Sequence, residues 1–161
     1  EITDVPSSVQ TAFEARYDAI CCQESRVLDD VDTTLATLSD SGVMMAVCTN
    51  KPTNFSKKIL EALDLARHFR AIVGPDLAGA RKPDARHVLD TLERAGCTAD
   101  RALFVGDMPV DIQAARNSGI DVAVVTSGSS THEQLAQCRP DHMLGRFSDL
   151  VRLVRNGAER Q

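Results

Sequence analysis

Apolar residues recur every three to four positions at Val9, Phe13, Tyr17 and Ile20. This is one face of an amphipathic helix, entered through the turn-like Pro6-Ser7-Ser8. Leu28, Val31, Leu35 and Leu38 repeat the pattern and predict a second helix, which ends at Gly42, a natural C-terminal cap. The period then changes. VMMAVC (Val43–Cys48) is the continuous apolar run of a buried parallel strand, and it stops at Thr49-Asn50-Lys51-Pro52. Phe55, Ile59 and Leu63 mark a third helix, and AIVG (Ala71–Gly74) a short strand. After Lys82-Pro83, Asp84 can cap a helix whose core face is Val88, Leu89 and Leu92. ALFVG (Ala102–Gly106) and DVAVV (Asp121–Val125) predict two more strands, with a helix between them running to Gly119. Ser127-Gly128-Ser129-Ser130 reads as a loop. A short helix near Glu133, a brief edge strand at HML (His142–Leu144) and a helix through Leu150, Val151 and Val154 follow.

Short apolar strands alternating with helices imply right-handed crossovers, and so an α/β fold with a mainly parallel sheet covered on both faces. The two leading helices have no strand before them, which leaves the pattern lopsided. No internal repeat or long linker is visible.

The 161 residues suit one domain, or one plus a fragment. With 43% hydrophobic and 25% charged residues the composition is that of a globular chain and argues against disorder. A net charge of −5 argues against a general electrostatic grip on nucleic acid or anionic membrane. Five Phe, one Tyr and no Trp weaken any base-stacking role. The run Val43–Cys48 is far short of the roughly 20 residues a membrane span needs. No basic-then-apolar leader opens the chain. Cysteines 21, 22, 48, 97 and 138 make no C-x-x-C pair, so reduced cytoplasmic thiols are expected instead of a disulfide framework or zinc site. The first residue is Glu1 and not Met, as expected of a chain trimmed from a longer one.

Ligands of open α/β sheets bind at the carboxyl ends of strands, and three polar groups fall at such ends. After the first strand, the Thr49 hydroxyl, Asn50 and the free N–H groups of the next helix can form an anion site; alternatively they only cap that helix. Lys82, on a loop stiffened by Pro83, can aim a compact positive charge at a phosphate, or be a solvated surface lysine. Asp107 directly follows the apolar strand at Gly106, and Asp111 lies one helical turn on. Oxygen ligands so placed suit Mg²⁺, which keeps several waters beside one or two carboxylates; the alternative is that Asp107 caps the helix and Asp111 complements its dipole.

The order strand-Thr-Asn, Lys-Pro, strand-Gly-Asp-x-x-x-Asp resembles the haloacid dehalogenase-like hydrolase superfamily over about Leu28 to Val154. VCTNKP matches its second motif, Lys82 its third and GDMPVDIQAARNSG its fourth. The Thr-Asn-Lys-Pro form and the AARNSG helix look most like the phosphoglycolate phosphatase subgroup; mutase and dehalogenase members more often carry Ser at the Thr49 position. Ala85 departs from the second Pro that many relatives carry. The resemblance implies a three-layer, Rossmann-like core over residues 25–161 and a remnant of a helical cap over residues 1–24. It implies Thr49, Lys82 and Asp107 as catalytic residues, with Thr49, Asn50 and Lys82 at phosphate. Asp107 would be the Mg²⁺ ligand, supported by Asp111 in the metal site. It further implies a cytoplasmic enzyme acting on a small phosphorylated metabolite, with nucleic acid and membrane excluded as partners.

The family's first motif, an apolar strand ending in D-x-D-G-T, supplies the carboxylate that attacks phosphorus and forms an aspartyl-phosphate. Asp30-Val31-Asp32-Thr33-Thr34 is a decoy for it. RVL is too short for a central strand, Val31 and Leu35 belong to a helix stripe, and only sixteen residues separate Asp32 from Thr49. Asp30 and Asp32 are therefore expected on a helix facing solvent, with the true motif on a segment upstream of Glu1. The sheet should then lack its central strand, leaving Val43–Cys48 and Ala102–Gly106 unpaired with each other. The alternatives are a non-catalytic phosphate-binding or interaction protein that lacks the nucleophile, or a signalling receiver domain. The receiver is disfavoured because Lys82 precedes Asp107.

Overall fold

The computed structural model describes residues 6–158. Five short strands, all in parallel pairs, form two separate sheets. β1 (Ala46–Cys48) pairs with β2 (Ala71–Val73), and β3 (Leu103–Gly106), β4 (Asp121–Val125) and β5 (His142–Leu144) lie in that order in the second sheet. β1 and β3 are not hydrogen-bonded to each other, as the family resemblance implies.

That separation shows in the burial. β4, flanked on both sides, is buried over Val122–Val124, with Val122 and Val124 facing one core cluster and Ala123 the other, the alternation of a strand covered on both faces. β1 and β3 were expected to be fully buried, but every residue of both is only half-buried, because each has a neighbour on one edge alone. β1 is also shorter than the apolar run. Gly42 turns the chain at φ 77°, and the Val43 N–H closes the preceding helix on the Leu38 carbonyl, so Val43–Met45 lie outside the strand and Met44 is exposed.

Helices α5 (Ala85–Ala95) and α6 (Pro109–Asn117) pack on one another, α5 against β1 and β2 and α6 against β3 and β4. Val88, Ala114 and Ile120 form their shared cluster, which takes in Cys48 from β1 and Phe104 from β3, so an apolar seam joins the two sheets. On the opposite face Leu150 of α8 (Asp149–Ala158) packs with Ala123 and Leu144. Asp84 caps α5 as expected, accepting from the Arg86 N–H at 2.9 Å, and the Arg86 guanidinium bonded to the same carboxylate, with that N–H second to it, holds its carboxyl down at about 2.

The leading helices differ from expectation. α2 (Val31–Asp40) begins after Leu28, which is 62% exposed; Asp30, in a left-handed conformation at φ 60°, precedes the first turn and breaks the stripe. Asp30 is thus at the end of the helix and not on it, and its carboxylate accepts from Ser148 Oγ. Asp32, exposed in the first turn, pairs with Arg67 at 3.0 Å. α1 (Ser7–Ile20) buries none of its residues, and Phe13 is 63% exposed. It is held through Tyr17, packed edge-on against Phe55 of α3 (Thr53–Ala62), and through an ion pair of Asp18 with Lys58.

His87 on α5 is completely buried. Its Nε2 lies 3.1 Å from the Val73 carbonyl and its Nδ1 has no partner. Burial holds the imidazole below its ordinary range, since a second proton would bring a charge into the core without an acceptor. The unfolded chain therefore takes up that proton first. The contribution of His87 to stability should be complete above about pH 6.5 and be lost as the pH falls toward the folded value. Urea midpoints at pH 7.5 and 5.5 should differ, and the part of the difference due to this residue should vanish in His87→Gln.

Candidate active site

The loops that follow β1 and β3 are linked by hydrogen bonds between Asn50 and Lys82, from Lys82 to Asp111 and from the Asp107 N–H to Asp111. Thr49 and Asn50 leave β1, Lys82 arrives on the loop between α4 (Pro75–Ala78) and α5, and Asp107 leaves β3 just before α6. Lys82 Nζ lies 2.7 Å from Asp111 Oδ1 and 5.6 Å from the centre of the Phe104 ring, with both members of the ion pair largely shielded from water. The other Asp111 oxygen accepts from the N–H groups of Asp107 and Met108, each at 3.1 Å. Asp111 is the third residue of α6, so its carboxylate fills the helix start while gripping the lysine.

Asn50 does not offer its amide to a ligand. Its Oδ1 accepts from the Lys82 N–H at 2.8 Å, and its Nδ2 donates to the Lys82 carbonyl at 3.0 Å. Expected among phosphate-binding side chains, it instead clamps the backbone of Lys82, beside the cis Lys82–Pro83 peptide. Asn117 donates to the Pro83 carbonyl at 2.8 Å and ties the same loop to α6. Lys82 is thus held at its base by β1 and α6 and at its tip by Asp111.

The Thr49 hydroxyl accepts from the Lys51 N–H at 3.2 Å and remains able to donate outward. The start of α3 was expected to offer free N–H groups, but the N–H of Thr53 is taken by Asp76 Oδ1 at 2.8 Å. Burial pushes the Asp76 carboxyl up, yet the hydrogen bonds from Thr53 outweigh it and hold the group below its usual range. Asp76 was missed in the sequence because its partner lies 23 positions away. The Gly74-Pro75 entry to α4 is its one local signal: a Cβ on Gly74 would collide with Lys51 O, Thr53 N and Asp76.

Asp107 Oδ2 accepts from the Ser129 N–H at 2.7 Å, so the Ser127–Ser130 loop, read in the sequence only as a connection, supports this carboxylate. Gly128 permits the approach, since a Cβ there would strike Asp107; a Cβ at Gly106 would likewise strike Asp111. No group of three or more His, Cys, Asp or Glu among the described residues could hold a metal by itself. The donors suit a hard cation held by the Asp107 carboxylate with water and ligand oxygens completing its shell. Asp111, expected in the metal set, has both oxygens engaged by N–H donors and Lys82. Asp30 and Asp32 take no part in the cluster, being bound to Ser148 and Arg67.

In this parallel α/β fold Thr49 and Asp107 follow the carboxyl ends of their strands, where the ligands of open α/β sheets bind. The comparisons place the chain more closely. The family described as haloacid dehalogenase-like hydrolase matches residues 3–125, and the chain belongs to that family. It is 40% identical over 151 residues to the phosphoglycolate phosphatase of Agrobacterium fabrum, across 91% of this chain and 64% of that one. It is also 40% identical over 127 residues to that of Aquifex aeolicus, across 79% of this chain and 58% of the relative. The crystal structure of a predicted phosphoglycolate phosphatase from Haemophilus somnus 129pt superposes with a TM-score of 0.82 at 31% identity, covering 89% of this chain and 64% of that one. The chain thus spans less than two thirds of the length of these relatives.

Removing one partner of the shielded ion pair strands the other charge. Lys82→Met and Asp111→Asn should each lower folding stability by on the order of 3 kcal/mol, and the double variant by clearly less than the sum. Urea denaturation of the four proteins gives the coupling; losses that simply add would show that the pair does not tie the two loops together.

Proposed function

We propose that the chain forms the phosphate-handling part of a Mg²⁺-dependent cytoplasmic phosphatase acting on a small phosphate monoester such as phosphoglycolate. The observation that carries this reading is the hydrogen-bonded path from Asn50, next to Thr49, through Lys82 and Asp111 to the Asp107 N–H. Family membership and the names of the relatives support it.

In this reading the substrate's phosphoryl group sits over the gap. The Thr49 hydroxyl donates to one phosphoryl oxygen, and Lys82 turns part of its charge toward another while Asp111 fixes its position. Because Asn50, Asn117 and Asp111 hold the lysine before substrate arrives, little reorganisation is needed as negative charge shifts during transfer. Asp107, steadied by Ser129, would hold the Mg²⁺, which when bound supplies positive charge to phosphoryl oxygens. The attacking carboxylate belongs to a strand filling the gap between β1 and β3, on a segment outside the 161 residues.

The experiment compares phosphate release from phosphoglycolate and other small esters by the 161-residue chain and by a form extended with an apolar strand ending in D-x-D-G-T. The chain alone should turn over little. Phosphate-monoester hydrolysis demands accelerations of up to roughly 10²¹-fold, and loss of a nucleophile in an unrelated hydrolase costs on the order of 10⁶ in turnover. The extended form should show Mg²⁺-dependent turnover. In it Lys82→Ala should reduce kcat by about 10²–10³, the range for loss of one preorganised donor, and Asp107→Asn should weaken the Mg²⁺ dependence. Robust turnover by the 161-residue chain that Asp30→Asn or Asp32→Asn abolishes would overturn the assignment.

A further inference from the structure

β2 is the outer strand of the first sheet, with β1 on one side of it and its other edge facing away from β1. Ala71, Ile72 and Val73 all border a groove of about 460 Å³. Side chains of a strand alternate between faces, so three consecutive residues on one groove mean that the edge of β2 borders it. β2 pairs with β1 alone among the described strands, so this is its open edge.

Three cations surround it: Lys57 on α3, Arg70 just before β2 and Arg94 on α5. Asp90 neutralises Arg94 at 2.7 Å. The side chains of Lys57 and Arg70 have no ion-pair or hydrogen-bond partner among the described residues. Two uncompensated positive charges thus stand over an open strand edge in a chain whose net charge is −5. Phe69 and Leu77 add apolar surface to the same groove.

An open edge presents main-chain donors and acceptors to any extended chain; on β2 these belong to Ile72, because the Val73 carbonyl already accepts from Thr49 and faces His87 and the Gly74 N–H donates to Thr53 Oγ1. A second copy is a poor occupant, because a two-fold pairing of β2 with itself would bring together two edges that both carry uncompensated positive charge. The same charges attract an extended segment that carries carboxylates. The geometry points to the β2 edge as a docking site for an extended acidic segment of a partner protein, which adds as a strand beside Ala71–Val73 and sets its carboxylates against Lys57 and Arg70.

The test uses the 161-residue chain and two fluorescent peptides, acetyl-Glu-Val-Glu-Val-Glu-amide and the same sequence with N-methyl groups that remove alternate N–H donors but keep every charge. The first should bind saturably and shift the amide resonances of Ala71–Val73. The N-methylated peptide should bind about tenfold more weakly, Arg70→Glu or Lys57→Glu should each weaken the first peptide at least about threefold, and the double variant about tenfold. Equal binding of both peptides would show a site for free anions instead of a strand and overturn the proposal. So would self-association of the chain that blocks these amides, or the absence of binding.

Discussion

Lys82 and Asp111, 2.7 Å apart, join what the sheet leaves separate. β1 and β3 make no ladder with each other, so the loops at their ends cannot take their positions from a shared backbone register. Side chains supply the register instead: Asn50 fixes the Lys82 backbone from β1, Asp111 fixes the Lys82 ammonium from α6, and Asn117 fixes Pro83. A shielded ion pair adds little net stability once desolvation is counted, but breaking it from one side is costly. It therefore acts chiefly as a positional constraint, and the arrangement of Thr49 and Asp107 around the gap depends on it.

The apolar seam on one face complements this polar clasp. Cys48 of β1 and Phe104 of β3 share the cluster of Val88, Ala114 and Ile120, so α5 and α6 cover the two sheets from one face while the loops meet at the carboxyl ends. Burial pushes the Cys48 thiol up, as expected of an inert core residue beside the site. The half-burial of β1 and β3 is the cost of the open gap, and it contrasts with β4, which has a neighbour on either side.

The periodicity of the chain was enough to locate the five strands of the described residues and their parallel arrangement, because continuous apolar runs bounded by Gly, Asn and Asp have few other stable uses. The failure of β1 and β3 to pair was expected only through the family resemblance, which implies a further strand between them. The positions of Thr49 directly after β1 and of Asp107 directly after β3 were legible from the same apolar runs. The helix stripe also helped to set aside Asp30 and Asp32, although Asp30 immediately precedes the helix and does not lie on it. The stripe of α1 was legible as a helix face, but not its exposure, since burial depends on what another element presents to that face.

What the sequence determined by itself was the local: which segments are strands, which polar residues follow them, and which chemistry their types permit. What the tertiary structure decided was how each polar atom is used. Asn50 and Asp111 have the composition of ligand-binding residues, yet their donors and acceptors are taken by partners up to 32 positions away. The supports from Asp76 to Thr53 and from Ser129 to Asp107 are equally remote in the chain. A hydrogen bond holds to within a few tenths of an ångström, and no periodicity along a chain encodes a distance of that kind between residues brought together only by packing.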